Sequence, residues 1–195
     1  MSEENKRVAD YEIDPVYTKR WSTRAFSNEE VEEEVLYSLF EAARWAPSAN
    51  NVQPWRYIIA RTKEDRERFL SFMNEGNRIW CHRAPVLVAV VSFTRWTPTA
   101  KSTNPTHAFD TGTSWGFLAL EAVRKGLVTH PMGGFDREKA KKVLNIPEKY
   151  EIHAIVAIGY KGDKADLTEE LQEREVASGR KKITEFISEG TFKES

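Results

Sequence analysis

The chain has 195 residues, room for one domain with a sizeable core and short arms. Its 29 Lys and Arg nearly balance 30 Asp and Glu, for a formal net charge of -1. This excludes a global basic field for nucleic acid and an acidic solvating tract. The lone Cys81 excludes an intramolecular disulfide and argues against a cysteine-built metal site.

Residues 1–16 read as a polar N-terminal arm with no signal-peptide apolar stretch. Ser27 with Glu30 has capping-box spacing. Val31, Val35, Leu36, Leu39, Ala42 and Ala43 then recur at helical spacing, predicting a helix that stops before Pro47. Arg56 to Ala60 reads as a short strand, and Lys63 to Met73 as a helix capped by Thr62. Residues 74–83 suggest a further helical turn or two. Ala84 to Phe93 is nearly all apolar, as expected of a strand covered on both faces and central in its sheet. It is too short to span a bilayer, which needs roughly 20 apolar residues. A soluble, cytoplasmic protein is expected.

Thr94 to Phe109 forms a long polar loop, of a length usually tied to function or mobility. The strongest helix follows, Asp110 to Lys125, with Gly112 and Gly116 one turn apart and Gly126 as its stop. Leu127 to Thr129 reads as a short strand and Pro131 to Phe135 as a tight loop. Asp136 caps a helix through Leu144, and Ile152 to Tyr160 is a last strand. Residues from Leu167 onward are charged and mostly polar. Helices and strands mix without regular βαβ alternation, so the expected class is α+β.

Four segments could carry chemistry. Arg20, Ser22 and Arg24 share one face if locally extended, a donor set for a phosphate or an anionic ring edge. Pro47 and Pro54 bracket Ser48, Asn51 and Gln53, neutral donors and acceptors suited to a flat heteroaromatic edge. By itself that loop reads first as a polar connection whose amides cap backbone groups. Gly133 and Gly134 would let backbone approach a ligand, or simply make a turn. Arg180-Lys181-Lys182 is solvated surface unless the tail folds back. The four histidines show no metal-ligand spacing, and Cys81 reads as a buried thiol.

In order, Arg20-x-Ser22-x-Arg24, Pro47-Ser48-x-x-Asn51-x-Gln53-Pro54-Trp55, Gly133-Gly134-Phe135-Asp136 and a basic tail resemble the FMN-dependent nitroreductase family over residues 17–187. The resemblance implies a nitroreductase-like fold: a central, mainly antiparallel sheet flanked by helices in an intertwined homodimer. Residues 1–195 would form a single FMN-binding domain, and residues 165–195 a C-terminal arm wrapping the partner. FMN would lie at the subunit interface. Arg20, Ser22 and Arg180 would meet its phosphate and Arg24 the ring edge. Pro47, Ser48, Asn51 and Gln53 would border ring or ribityl, Gly133 and Gly134 the redox-active nitrogen, and Asn77 a second ring position. The implied reaction is ping-pong: NAD(P)H reduces the flavin, and a small-molecule acceptor such as a nitroaromatic or quinone reoxidises it. A more specialised flavoenzyme, or a flavin-binding protein without efficient turnover, would share these residues. Trp96, His107 and Phe109 are expected at the substrate entrance.

Overall fold

The near-continuous apolar run of the second strand sets the architecture. In the computed structural model, which describes residues 7–194, four antiparallel strands lie in the order β1-β2-β4-β3. They are β1 (Trp55–Ala60), β2 (Val86–Phe93), β3 (Leu127–Met132) and β4 (Tyr150–Tyr160). Every residue of β2 is buried, as its near-continuous apolar run predicts for an interior strand. Val86, Val88 and Val90 point to one core layer; Leu87, Ala89 and Val91 point to the other. A bulge between Val90 and Val91 interrupts the β2–β4 register.

The first layer packs Leu36, Leu39 and Ala43 of α2 (Glu33–Arg44) and Leu118 and Ala122 of α5 (His107–Arg124) on the sheet. The second gathers Phe69 of α3 (Lys63–Leu70), Trp80 and Cys81 of α4 (Glu75–Cys81) and Ala140 of α6 (Arg137–Val143). Leu171 of α7 (Glu169–Glu173) joins them. The α+β class and its helix-flanked antiparallel sheet are therefore as the sequence implies. None of the described helices is long and apolar enough to cross a membrane.

Local chemistry explains the boundaries. Thr62 accepts from Asp65 N at 3.1 Å and Asp136 from Lys139 N at 2.9 Å, starting α3 and α6 as expected. Gly126 ends α5 at φ +75°, where a side chain would be strained. The Ser27–Glu30 capping box does not form. Ser27 N donates to the Tyr160 carbonyl at 3.0 Å, and Phe26 bridges Lys161, which keeps this segment extended. Val31 is buried ahead of the helix, which starts only at Glu33. The N-terminal arm also holds an unexpected short helix, α1 (Pro15–Lys19), with Asp14 accepting from Val16 N. Pro131 and Met132 extend β3 rather than join the glycine loop.

The tail is divided. Leu167, Leu171 and Glu175 are buried against their own chain, so the first third of the proposed arm packs in place. Beyond it Val176, Phe186, Ile187 and Phe192 are exposed.

Candidate functional site

Three clusters carry the residues singled out from the sequence. The first lies beside β3. Arg20 donates from Nη1 to Ser22 Oγ at 3.4 Å, so these two share a face as their spacing predicts. Thr23, next in the chain, turns inward and is fully buried. Its carbonyl accepts from His130 Nδ1 at 2.9 Å, which fixes the proton on that nitrogen because a carbonyl only accepts. Burial pushes the His130 imidazole down to about 4, against the opposing pull of that hydrogen bond.

Glu175 organises this cluster from 150 residues away. Only 7% exposed, its carboxylate accepts from Arg24 N at 2.9 and 3.0 Å, from Ala25 N at 3.1 Å and from the Thr23 hydroxyl. Arg24 Nη1 lies 3.9 Å from the same carboxylate and 3.4 Å from the Arg174 carbonyl. Arg24 is thus a braced, partly compensated cation. Glu175 is absent from the sequence reading, since nothing local distinguishes it from other tail glutamates.

Arg20 has no such compensation. Burial, then repulsion by Arg180 and Arg7, holds its pKa below the usual value. Among the described residues no carboxylate pairs with Arg7, Arg20 or Arg180. Arg180 comes near enough to lower the pKa of both Arg20 and Arg7, while its Nη1 donates to its own neighbours, the Gly179 carbonyl at 2.8 Å and Ser178 Oγ at 3.2 Å. Clustered guanidiniums without a counter-charge suit a multiply charged oxyanion.

The second cluster closes the end of β3. The Gly134 carbonyl accepts from Asn77 Nδ2 at 3.0 Å and from Asn74 N at 3.1 Å. A Cβ on Gly134 would stand 2.7 Å from Asn77 Nδ2, so a side chain here would displace that amide. Gly133 beside it is exposed and open. Asn77 therefore supports the glycine loop.

The third cluster is the amide loop before β1. Gln53 N donates to Ser48 Oγ at 3.0 Å, and Gln53 Nε2 to Asn51 Oδ1 at 3.0 Å. Buried Asp110 of α5 accepts from Ala49 N at 3.2 Å and ties the loop to the long helix. Asn50, Asn51 and Gln53 all have φ near +50°. Asparagine tolerates that region, whereas glutamine is strained there. Pro47 is exposed at the loop's start.

The fold does not unite these clusters within one chain. The amide loop leads into β1 at one sheet edge, and Arg20 to Arg24 lie against β3 at the other. Three strand spacings, roughly 14 Å, separate the two edges. A groove of about 700 Å³ between Asn28, Arg61, Arg66, His82 and Arg83 contains none of the candidate residues.

His107 corrects the expectation for the entrance loop. It turns inward, its Nδ1 2.7 Å from the buried Ser92 hydroxyl, which also meets His153 Nε2 at 2.7 Å. Glu151 lies 3.6 Å from His107 Nε2, so the tertiary fold assembles a His107–Glu151–His153 group that sequence spacing does not reveal. Phe109 does project, at 77% exposed. Cys81 is buried as expected, and burial raises its thiol to about 12.

A helix-flanked antiparallel sheet, with a cation pocket at one edge and a strained amide loop at the other, defines a nitroreductase-like α+β protein. The chain belongs to the nitroreductase family, whose model matches residues 17–80 and 73–160. It is 29% identical over 164 residues to a protein of Streptomyces coelicolor, covering 74% of this chain and 81% of the relative. It is 29% identical over 182 residues to an NADH dehydrogenase of Thermus thermophilus, covering 75% and 85%. An oxidoreductase containing FMN superposes with a TM-score of 0.93 at 38% identity, covering 100% of both chains. A nitroreductase family protein from Clostridium difficile shares the fold, at TM-score 0.73 and 22% identity over 93% of this chain and all of that one.

Proposed function

We propose that this chain is an FMN-dependent NAD(P)H oxidoreductase that works as a homodimer. The observation that carries the cofactor is the cluster of Arg20 and Arg180, beside Ser22, with no carboxylate partner among the described residues. A flavin phosphate is an anion of the right charge for it, and the FMN-containing structural relative supports the choice. Family membership and the NADH dehydrogenase relative support the reductant. When bound, FMN supplies the two-electron chemistry, taking hydride from NAD(P)H and passing it to an electron-poor acceptor such as a nitroaromatic or quinone.

The chain's own residues bind, orient and bias. Arg20, Ser22 and Arg180 hold the phosphate. Arg24, braced by Glu175, presents a fixed positive charge to the ring edge. Gly133 leaves its backbone accessible, and Asn77 holds Gly134 so that no side chain intrudes. Ser48, Asn51 and Gln53, pre-shaped by the turns at positive φ and by Pro47 and Pro54, border the ring from a second copy. The separation of the clusters across the sheet supports a two-copy arrangement. Gly112 and Gly116 of α5 have an open face on which another subunit can pack closely.

The decisive experiment is anaerobic titration of the FMN-loaded protein with NADH, followed by a quinone. Bleaching of the visible flavin absorption on NADH, and recovery on quinone, is expected. Absence of flavin binding after FMN addition would overturn the cofactor; binding without NADH bleaching would overturn the reductase activity.

A further inference from the structure

The N-terminal segment reaches the same pocket, outside the span that the family model matches. The short α1 turn reverses the chain and brings residue 7 back onto residues 18–20. There Arg7 Nη1 donates to the Thr18 carbonyl at 3.1 Å and to the Arg20 carbonyl at 2.6 Å. Two carbonyls occupy the two hydrogens of one terminal nitrogen. A guanidinium has five N–H donors, so three stay available on Arg7. Among the described residues it has no carboxylate partner, and neither have Arg20 and Arg180. Burial, then the Arg180 charge, lowers its pKa, which places Arg7 in the same positive field.

We propose that Arg7 is a ligand of the flavin phosphate: the N-terminal segment folds over α1 to place a third guanidinium beside Arg20 and Arg180. Three cations gathered without a counter-charge among the described residues repel one another, and a phosphate monoester turns that repulsion into attraction. The carbonyls of Thr18 and Arg20 aim the Arg7 side chain. Because the same contacts tie the arm to Arg20, an occupied phosphate site also fastens the segment around Arg7.

This inference rests on the FMN assignment above. The test compares FMN with riboflavin, which lacks only the phosphate, in the native protein, Arg7→Ala and Arg7→Lys. Dissociation constants come from quenching of flavin fluorescence, and thermal melts of the flavin-free proteins report folding. Arg7→Ala is expected to weaken FMN about ten- to a hundredfold and to leave riboflavin unchanged. Arg7→Lys should recover part of the loss, since a point charge remains without the fork geometry. Unchanged FMN affinity in Arg7→Ala, or equal weakening of FMN and riboflavin, would overturn Arg7 as a phosphate ligand. Failure of the native protein to bind either flavin would instead overturn the cofactor assignment itself. If Arg7→Ala melts early, Arg7→Lys decides: a loss selective for FMN supports the proposal, and a non-selective one refutes it.

Discussion

His130 shows how a single buried side chain links the site to pH. Its ring packs 4.5 Å from Trp80 and donates to the Thr23 carbonyl, and burial depresses its pKa from 6.5 to about 4. In the unfolded chain the same imidazole takes up a proton below about pH 6.5. The stability it contributes is therefore complete above that pH and is lost as pH falls toward 4, where the folded form protonates too. The full loss is on the order of 3 kcal/mol. Urea unfolding of the flavin-free protein at pH 7, 6 and 5 should show the decline, and His130→Gln should flatten it. An equal slope in the variant would assign the effect to other groups. At this scale the pairing of Arg20 with Ser22 was legible, because their spacing places both on one face of an extended segment. Glu175 and Arg7 were not, since each gains its role through contacts to residues far along the chain.

Between elements, one hydroxyl relay joins strand to helices. Tyr57 of β1 meets Ser114 of α5 at 2.7 Å, and Ser114 donates to the Ala43 carbonyl of α2 at 3.0 Å. With Ser114 committed to Ala43, the phenol is the donor in the first bond. Burial raises the Tyr57 phenol to about 12, so it stays protonated at any working pH. Tyr57→Phe removes one donor and leaves Ser114 satisfied, at a cost of about 1 kcal/mol. Ser114→Ala strands the buried phenol and should cost about 2 kcal/mol, while the Ala43 carbonyl keeps the Ala46 N–H at 3.3 Å. Chemical denaturation measures both, and a larger loss for Tyr57→Phe would contradict this ordering. The periodicity of α5 and the apolar run of β2 were readable because burial on two faces leaves a local pattern. The Ser27 box failed because pairing with Tyr160 outweighs a local cap. The His107–Ser92–His153 cluster joins a helix start to two strands, a junction that residue spacing cannot express.

On the scale of the molecule, the cation pocket and the amide loop occupy opposite sheet edges, and much apolar surface stays uncovered. Trp45 is 70% exposed and Phe109 77% exposed, while a Cβ on Gly112 or Gly116 would meet nothing. Gly116→Leu should therefore stabilise an isolated chain, by about 0.5–1 kcal/mol of helix propensity. If a second copy packs on α5, the same change should dissociate the dimer and weaken FMN together. Light scattering for mass and flavin fluorescence for binding test this; an intact FMN-loaded dimer would remove Gly116 from the interface. Local residue patterns carry most of the strands and helices, the α+β class, the buried thiol and the ordered motifs of the nitroreductase family. The packed chain alone makes β1 and β3 opposite edges, sets Glu175 against Arg24 and brings Arg7 to Arg20. The reason is physical: strand order and long-range ion placement depend on contacts between distant segments. A motif records which donors exist; the sheet decides which of them meet.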